Sequence, residues 1–84
     1  MRLDKFLKVA RIIKRRTVAK EACDGGRVSL NGRPAKAGAQ VALGDRIKIS
    51  FGSRELEVEV VELASTVRAK DASNLYRVIR DEDV

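Results

Sequence analysis

Lys14, Arg15 and Arg16 stand in an unbroken run directly before Thr17, at the head of the stretch KRRTVAKEACDGGRVSLNG. Backbone N–H groups at a helix start have no intrahelical acceptor, so an anion seated there gains those hydrogen bonds together with the helix-dipole field. The three cations would add charge-assisted contacts to the same phosphate or its neighbour, and arginine can do so through two parallel N–H donors. A solvated basic turn is the plain alternative for this run taken alone. Convergence tips the balance: Lys5, Lys8 and Arg11 fall on one face of the preceding segment, and Arg27, Arg33 and Lys36 lie around the following one.

Bond-making chemistry has less to work with. The chain has no His, the usual acid or base near neutral pH. Glu55, Glu57 and Glu59 alternate as the solvated face of a strand would, without the differing, partly buried surroundings an acid–base pair needs. Ser29, Ser50 and Ser53 have no base partner in view. Gly25-Gly26 fits neither standard phosphate-cradling glycine pattern. Cys23, the one cysteine, reads as a small buried hydrophobe, and a chain with one Cys and no His is close to excluded as a transition-metal protein. The expectation is a non-catalytic protein without a cofactor.

The elements that must position the cations can be read from periodicity. At about 100° per residue Leu3, Phe6, Leu7, Ala10 and Ile13 share one arc of about 120°, which predicts a helix over residues 3–13. Asp4, Lys5, Lys8 and Arg11 fill the opposite arc, with Asp4 spaced to pair with Lys8. Thr17 is the expected N-cap, and so the orienting residue, of a second helix through Asp24 that Gly25-Gly26 closes. Its apolar face is Val18, Ala19, Ala22 and Cys23. Two such short helices need a sheet beneath them.

Val28 and Leu30 alternate into Asn31-Gly32, a strong hairpin signal, and Pro34 confines the return arm to an edge or ends it early. In DRIKISFGSRELEVEV a two-residue Gly52-Ser53 turn would set Phe51 opposite Arg54, Ile49 opposite Leu56 and Ile47 opposite Val58. Lys48 would then meet Glu57, and Ser50 would meet Glu55, on the other face. Between the hairpins, Val41 and Leu43 read as an apolar anchor before a turn at Gly44-Asp45. Residues 65–74 read as loop or a single helical turn, LYRVIR as a last strand, and DEDV as a fraying end.

A chain of 84 residues is one domain with a small core. Its net charge of +6 is unevenly spread. Residues 1–36 hold 11 Lys/Arg against 3 Asp/Glu, a net of +8, and residues 37–84 hold 7 against 9, a net of −2. A basic half of this kind implies a polyanion, nucleic acid ahead of a membrane surface. No apolar run reaches the roughly 20 residues that span a bilayer, and MRLDKFLK lacks a secretory h-region, so no membrane contact and a cytoplasmic location are expected.

Phe6, Phe51 and Tyr76 are the only aromatics, two of them expected in the core, which argues against a single-strand binder that stacks bases. Structured RNA recognised through phosphate and shape fits better. Lys20, Glu21 and Asp24, facing outward on the second helix, are a poor set for reading DNA base edges.

The order and spacing of RLDKFL, the Arg15-Arg16-Thr17 step, GRVSLNG, Lys36 and VALGD resemble the S-four-type RNA-binding domain first known from a ribosomal small-subunit protein, over residues 2–49. That family implies an α+β fold, the alpha-L RNA-binding motif, with two N-terminal helices packed on a small bent antiparallel sheet and RNA along the helical face. The expected organisation is a single domain over residues 1–84, core motif 2–49 and a C-terminal hairpin and short tail 50–84. The whole chain resembles the stand-alone RqcP-type branch that works in bacterial ribosome quality control. The related heat-shock protein fifteen branch carries a basic C-terminal extension, where this chain has DEDV.

This resemblance implies a monomer bound to a large ribosomal subunit blocked by peptidyl-tRNA. It would touch large-subunit rRNA and tRNA while an RqcH-type tailing factor extends the stalled chain with alanine. A general large-subunit assembly or recycling factor of the same fold is the alternative. By position, Arg2, Arg15 and Arg16 would be the leading RNA contacts, with Lys5, Lys8, Arg11, Lys14, Arg33 and Lys36 flanking them. Asp4, an acid inside a basic face, would orient a neighbouring arginine. Arg16 is expected to be an exposed cation that contributes little to folding.

Overall fold

The computed structural model describes residues 1–83. Helix α1 (Leu3–Val9) and helix α2 (Arg16–Asp24) come first. They are followed by β1 (Val28–Leu30), β2 (Arg33–Pro34), β3 (Arg46–Phe51), β4 (Arg54–Val60), a 3-10 helix (Ala69–Leu75) and β5 (Tyr76–Asp83). The strands form one antiparallel sheet in the order β2-β1-β3-β4-β5, with the two helices packed together. This is the α+β architecture expected of two helices and two hairpins.

The first helix is shorter than its apolar pattern. After Ala10, Arg11 takes a left-handed backbone (φ 58), and the amides of Ile12 and Ile13 both donate to the Leu7 carbonyl, each at 3.1 Å. The tight turn that results still delivers Ile13 to the core beside Leu3, Phe6, Leu7 and Ala10. The predicted face is therefore buried although the predicted helix stops early. A side chain in the left-handed region costs about 1–2 kcal/mol, so the turn is held by its surroundings.

The second helix begins two residues earlier than expected. Arg15 occupies the N-cap position without a side-chain cap, and Thr17 lies exposed in the first turn. Thr17 is thus not the cap that its type suggested. At the other end the amides of Gly26 and Arg27 donate to the carbonyls of Cys23 (3.0 Å) and Ala22 (2.9 Å), and Gly26 sits at φ 82. That is the glycine-closed double bond of a Schellman ending. Ala19, Ala22 and Cys23 are buried, but Val18 is 45% exposed.

Both hairpins have their expected registers. Asn31 (φ 53) and Gly32 (φ 87) form the two-residue turn between Leu30 and Arg33, and β2 is a two-residue edge strand ending at Pro34. Phe51 faces Arg54, Ile49 faces Leu56 and Ile47 faces Val58, while Lys48 meets Glu57 and Ser50 meets Glu55. Val28, Ile47, Ile49, Leu56, Val58 and Val60 supply the sheet's share of the core.

Three expectations fail in the connections and the tail. Val41 is buried but Leu43 is 64% exposed, so the anchor is a single residue. The segment before the last strand is a 3-10 helix of seven residues, tied down by Ala72 and Leu75. Asp81, Glu82 and Asp83 are not frayed: they pair with Leu56, Glu55 and Arg54 in β5 beyond a bulge at Glu57/Val58. Val84, the last residue of DEDV, lies outside the described residues. No helix among the described residues is long and apolar enough to cross a membrane.

Candidate nucleic-acid interface

Burying Asp4 organises the surface around it. The loop that follows β2 runs beneath the start of α1, where the Leu3 amide donates to Ala39 O (2.8 Å) and the Asp4 amide to Ala37 O (3.2 Å). This packing covers the side of α1 that periodicity alone leaves to solvent, and Asp4 is only 2% exposed. Its carboxylate does not pair with Lys8. Oδ1 accepts from the Lys5 amide (2.8 Å), Arg2 Nε (3.1 Å) and an Arg16 terminal nitrogen (3.5 Å). Oδ2 accepts from Arg16 Nε (3.3 Å) and an Arg2 terminal nitrogen (3.4 Å).

One buried acid thus joins two arginines from different elements, Arg2 before α1 and Arg16 at the start of α2. Their side chains remain 48% and 47% exposed. A guanidinium carries five N–H donors in a fixed fork, so each arginine keeps donors that point away from Asp4. Burial pushes the Asp4 carboxyl upward, but the hydrogen bonds and charges of Arg2 and Arg16 outweigh it and hold the group below its ordinary value. Arg16 is therefore not the free surface cation that its sequence position suggested.

The cations around this hub are unmatched. Among the described residues Lys5, Lys8, Arg11, Lys14 and Arg15 have no carboxylate partner, and all but the half-buried Lys5 are exposed. In the sheet most cations are matched, Arg33 on β2 and Arg46 on β3 being the exceptions among the described residues. Lys48 pairs with Glu55, Arg54 with Asp81, Arg77 with Glu59 and Arg80 with Glu57 and Glu82, mostly across neighbouring strands. The second half of the chain largely neutralises itself, and the helical half leaves most of its charge unmatched.

Arg33 is exposed on the edge strand β2. Lys36 is partly engaged, since its ammonium donates to the Asp24 carbonyl at 3.2 Å and helps the Asp24 carboxylate, which accepts from the Ala37 amide at 3.0 Å, fasten the loop to α2. Cys23 is buried, and burial, with Asp4 and Asp24 nearby, pushes its thiol up to about 11, which keeps it in the protonated, inert form. No group of three or more His, Cys, Asp or Glu suited to a metal ion occurs among the described residues. The sequence signal for the hub was Arg-Leu-Asp at the helix start; what it could not give was the loop that buries the acid.

Comparison with known proteins agrees with this architecture. The S4 domain model matches residues 1–47. A protein of Halalkalibacterium halodurans named RQC P-site tRNA stabilizing factor is 52% identical over 84 residues, covering 100% of this chain and 96% of that one. Its Bacillus subtilis namesake is 50% identical over 82 residues, covering 98% and 95%. Among solved structures, trimeric Vibrio cholerae Heat Shock Protein 15 superposes with a TM-score of 0.87 at 35% identity, over 93% of this chain and 80% of that one. On the matched motif, the shared fold and the full-length relatives, the chain belongs to the S4 domain family and, within it, to the family of the RQC P-site tRNA stabilizing factors.

Proposed function

We propose that this protein is a non-catalytic RNA-binding factor of bacterial ribosome-associated quality control. It binds a stalled large ribosomal subunit, touches rRNA and tRNA through the α1–α2 face, and holds the P-site tRNA in place. Through that it supports alanine tailing of the nascent chain by an RqcH-type factor. The observation that carries this reading is the Asp4 hub, which fixes Arg2 and Arg16 half-exposed beside five cations without carboxylate partners. Arg33 and Lys36 extend the surface at its margin. The names of the full-length relatives supply the ribosomal context.

A surface of this kind suits phosphates, which position a protein on RNA without specifying bases. The protein acts as a monomer in this reading, since one chain carries the whole cationic face.

The test is to tag the protein in its host, separate ribosomal particles on a sucrose gradient, and identify co-purifying RNA and protein. Large-subunit rRNA with tRNA and a tailing factor, lost for Arg16→Ala, is the expected result. Free or immature subunits without tRNA would instead select a subunit assembly or recycling role, and the absence of ribosomal RNA would overturn both.

A further inference from the structure

Between α2 and the tip of the β3–β4 hairpin lies an open groove of about 300 Å³, lined by Ile12, Ile13, Val18, Ala22, Ile49 and Phe51 together with Arg27. Val18 and Phe51 are two of the large apolar side chains that folding leaves outside, at 45% and 37% exposure. Exposed apolar surface gathered into a concave site marks a place for a ligand or partner.

The charges around it narrow the occupant. Its lining contains no acid, and Arg27 has no carboxylate partner among the described residues. Lys14, Arg15, Arg16 and Thr17 form the link from Ile13 to Val18, so the groove adjoins the basic run. The Arg54 guanidinium stands over the Phe51 ring, 5.9 Å from its centre, and is held by two hydrogen bonds of 2.7 Å to Asp81. The ring is steadied by a cation whose charge is already matched. An occupant suited to this surface has a flat apolar part and an anionic part, which describes a nucleotide better than an aliphatic side chain.

We propose that the groove seats one unpaired nucleobase of the bound RNA, with the base against Phe51 and its phosphate toward Arg27. This rests on the RNA-binding reading above and adds to it a base contact that phosphate recognition along the helices does not supply. It also gives a role to one of the few aromatics, in a chain whose composition points to phosphate and shape alone.

The experiment is equilibrium binding of the full chain to purified large subunits carrying a P-site tRNA, at several salt concentrations, for wild type, Phe51→Ala, Phe51→Leu and Arg16→Ala. Loss of a stacked base weakens binding by roughly 5- to 150-fold. Both Phe51 variants are expected to show such a loss with an unchanged salt dependence, because no phosphate contact is removed. Phe51→Leu keeps the apolar bulk, so it decides the matter even where Phe51→Ala folds poorly.

Wild-type affinity for Phe51→Leu would overturn the proposal; paired with a loss for Phe51→Ala, it would identify an apolar protein contact in place of a base. If Arg16→Ala weakens binding while neither Phe51 variant does, the base seat alone falls. If none of the three matters, the RNA-binding face falls with it. The chain has no Trp, so Phe51→Trp introduces a single indole whose emission should be quenched on saturation with subunits. Unchanged emission would also count against a stacked base.

Discussion

Removing the Arg16 side chain has two separable consequences. Asp4 keeps Arg2 and the Lys5 amide but loses part of its compensation, so Arg16→Ala should cost about 1 kcal/mol of stability, or about 4–8 °C in Tm for a domain of this size. Binding to tRNA-carrying large subunits should fall further, by roughly 10- to 100-fold, because a charged donor set aimed at RNA is lost. Parallel thermal melts and binding curves separate the two, and a binding loss no larger than the stability loss would refute the assignment. Asp4 also makes a pH prediction. Its carboxyl is held below its ordinary value in the fold, so its contribution is complete above the unfolded value near 3.9 and is lost as pH falls through the folded value. The stability difference between wild type and Asp4→Asn, from urea unfolding, should stay level from about pH 7 to 5 and shrink below about pH 4. The cations themselves were legible because Lys and Arg advertise charge wherever they sit. The burial of Asp4 was not, because it depends on a loop more than thirty residues away that 100° periodicity cannot see.

Turns and hairpins were the most legible elements, since Asn31-Gly32 and Gly52-Ser53 set register through neighbouring residues alone. Helix ends were less so. Leu3, Phe6, Leu7, Ala10 and Ile13 form one apolar arc whether or not the last turn is helical, and the break at Arg11 is visible only in the backbone. The final strand was legible through LYRVIR, but its extension was not, because Asp81, Glu82 and Asp83 look like a solvated end until Arg54 is set across from them. The Arg11 turn carries a test in which stability and binding move in opposite directions. Arg11→Gly removes the left-handed strain and should raise stability by up to about 1 kcal/mol. The same change removes a cation without a carboxylate partner and should weaken RNA binding. A variant that lost stability would show that the Arg11 side chain contributes to folding, and unchanged affinity would place it outside the interface. Deep in the sheet, Ile47→Ala should cost about 2–5 kcal/mol, measured by denaturant unfolding, since Ile47 is fully buried in a small core.

Across the whole molecule, charge is divided between the layers. The sheet pairs Lys48, Arg54, Arg77 and Arg80 with Glu55, Glu57, Glu59, Asp81 and Glu82, while the helices and their connector carry Lys5, Lys8, Arg11, Lys14 and Arg15 without partners among the described residues. The sequence already hinted at this, since its first 36 residues hold a net of +8, 11 basic against 3 acidic. Only the fold shows which of those cations are left without a carboxylate partner among the described residues. If the face neutralises about five phosphates, log K should fall against log salt with a slope of about −3.5 to −4.5. The most direct measurement is that slope for the full chain on tRNA-carrying large subunits, compared with a triple variant Lys8→Ala, Arg11→Ala, Arg15→Ala. Among the described residues none of the three side chains is ion-paired, so the variant should fold, as a thermal melt would verify. The account predicts a slope shallower by about 2–3 units together with weaker binding. A folded variant with the wild-type slope and affinity would contradict it.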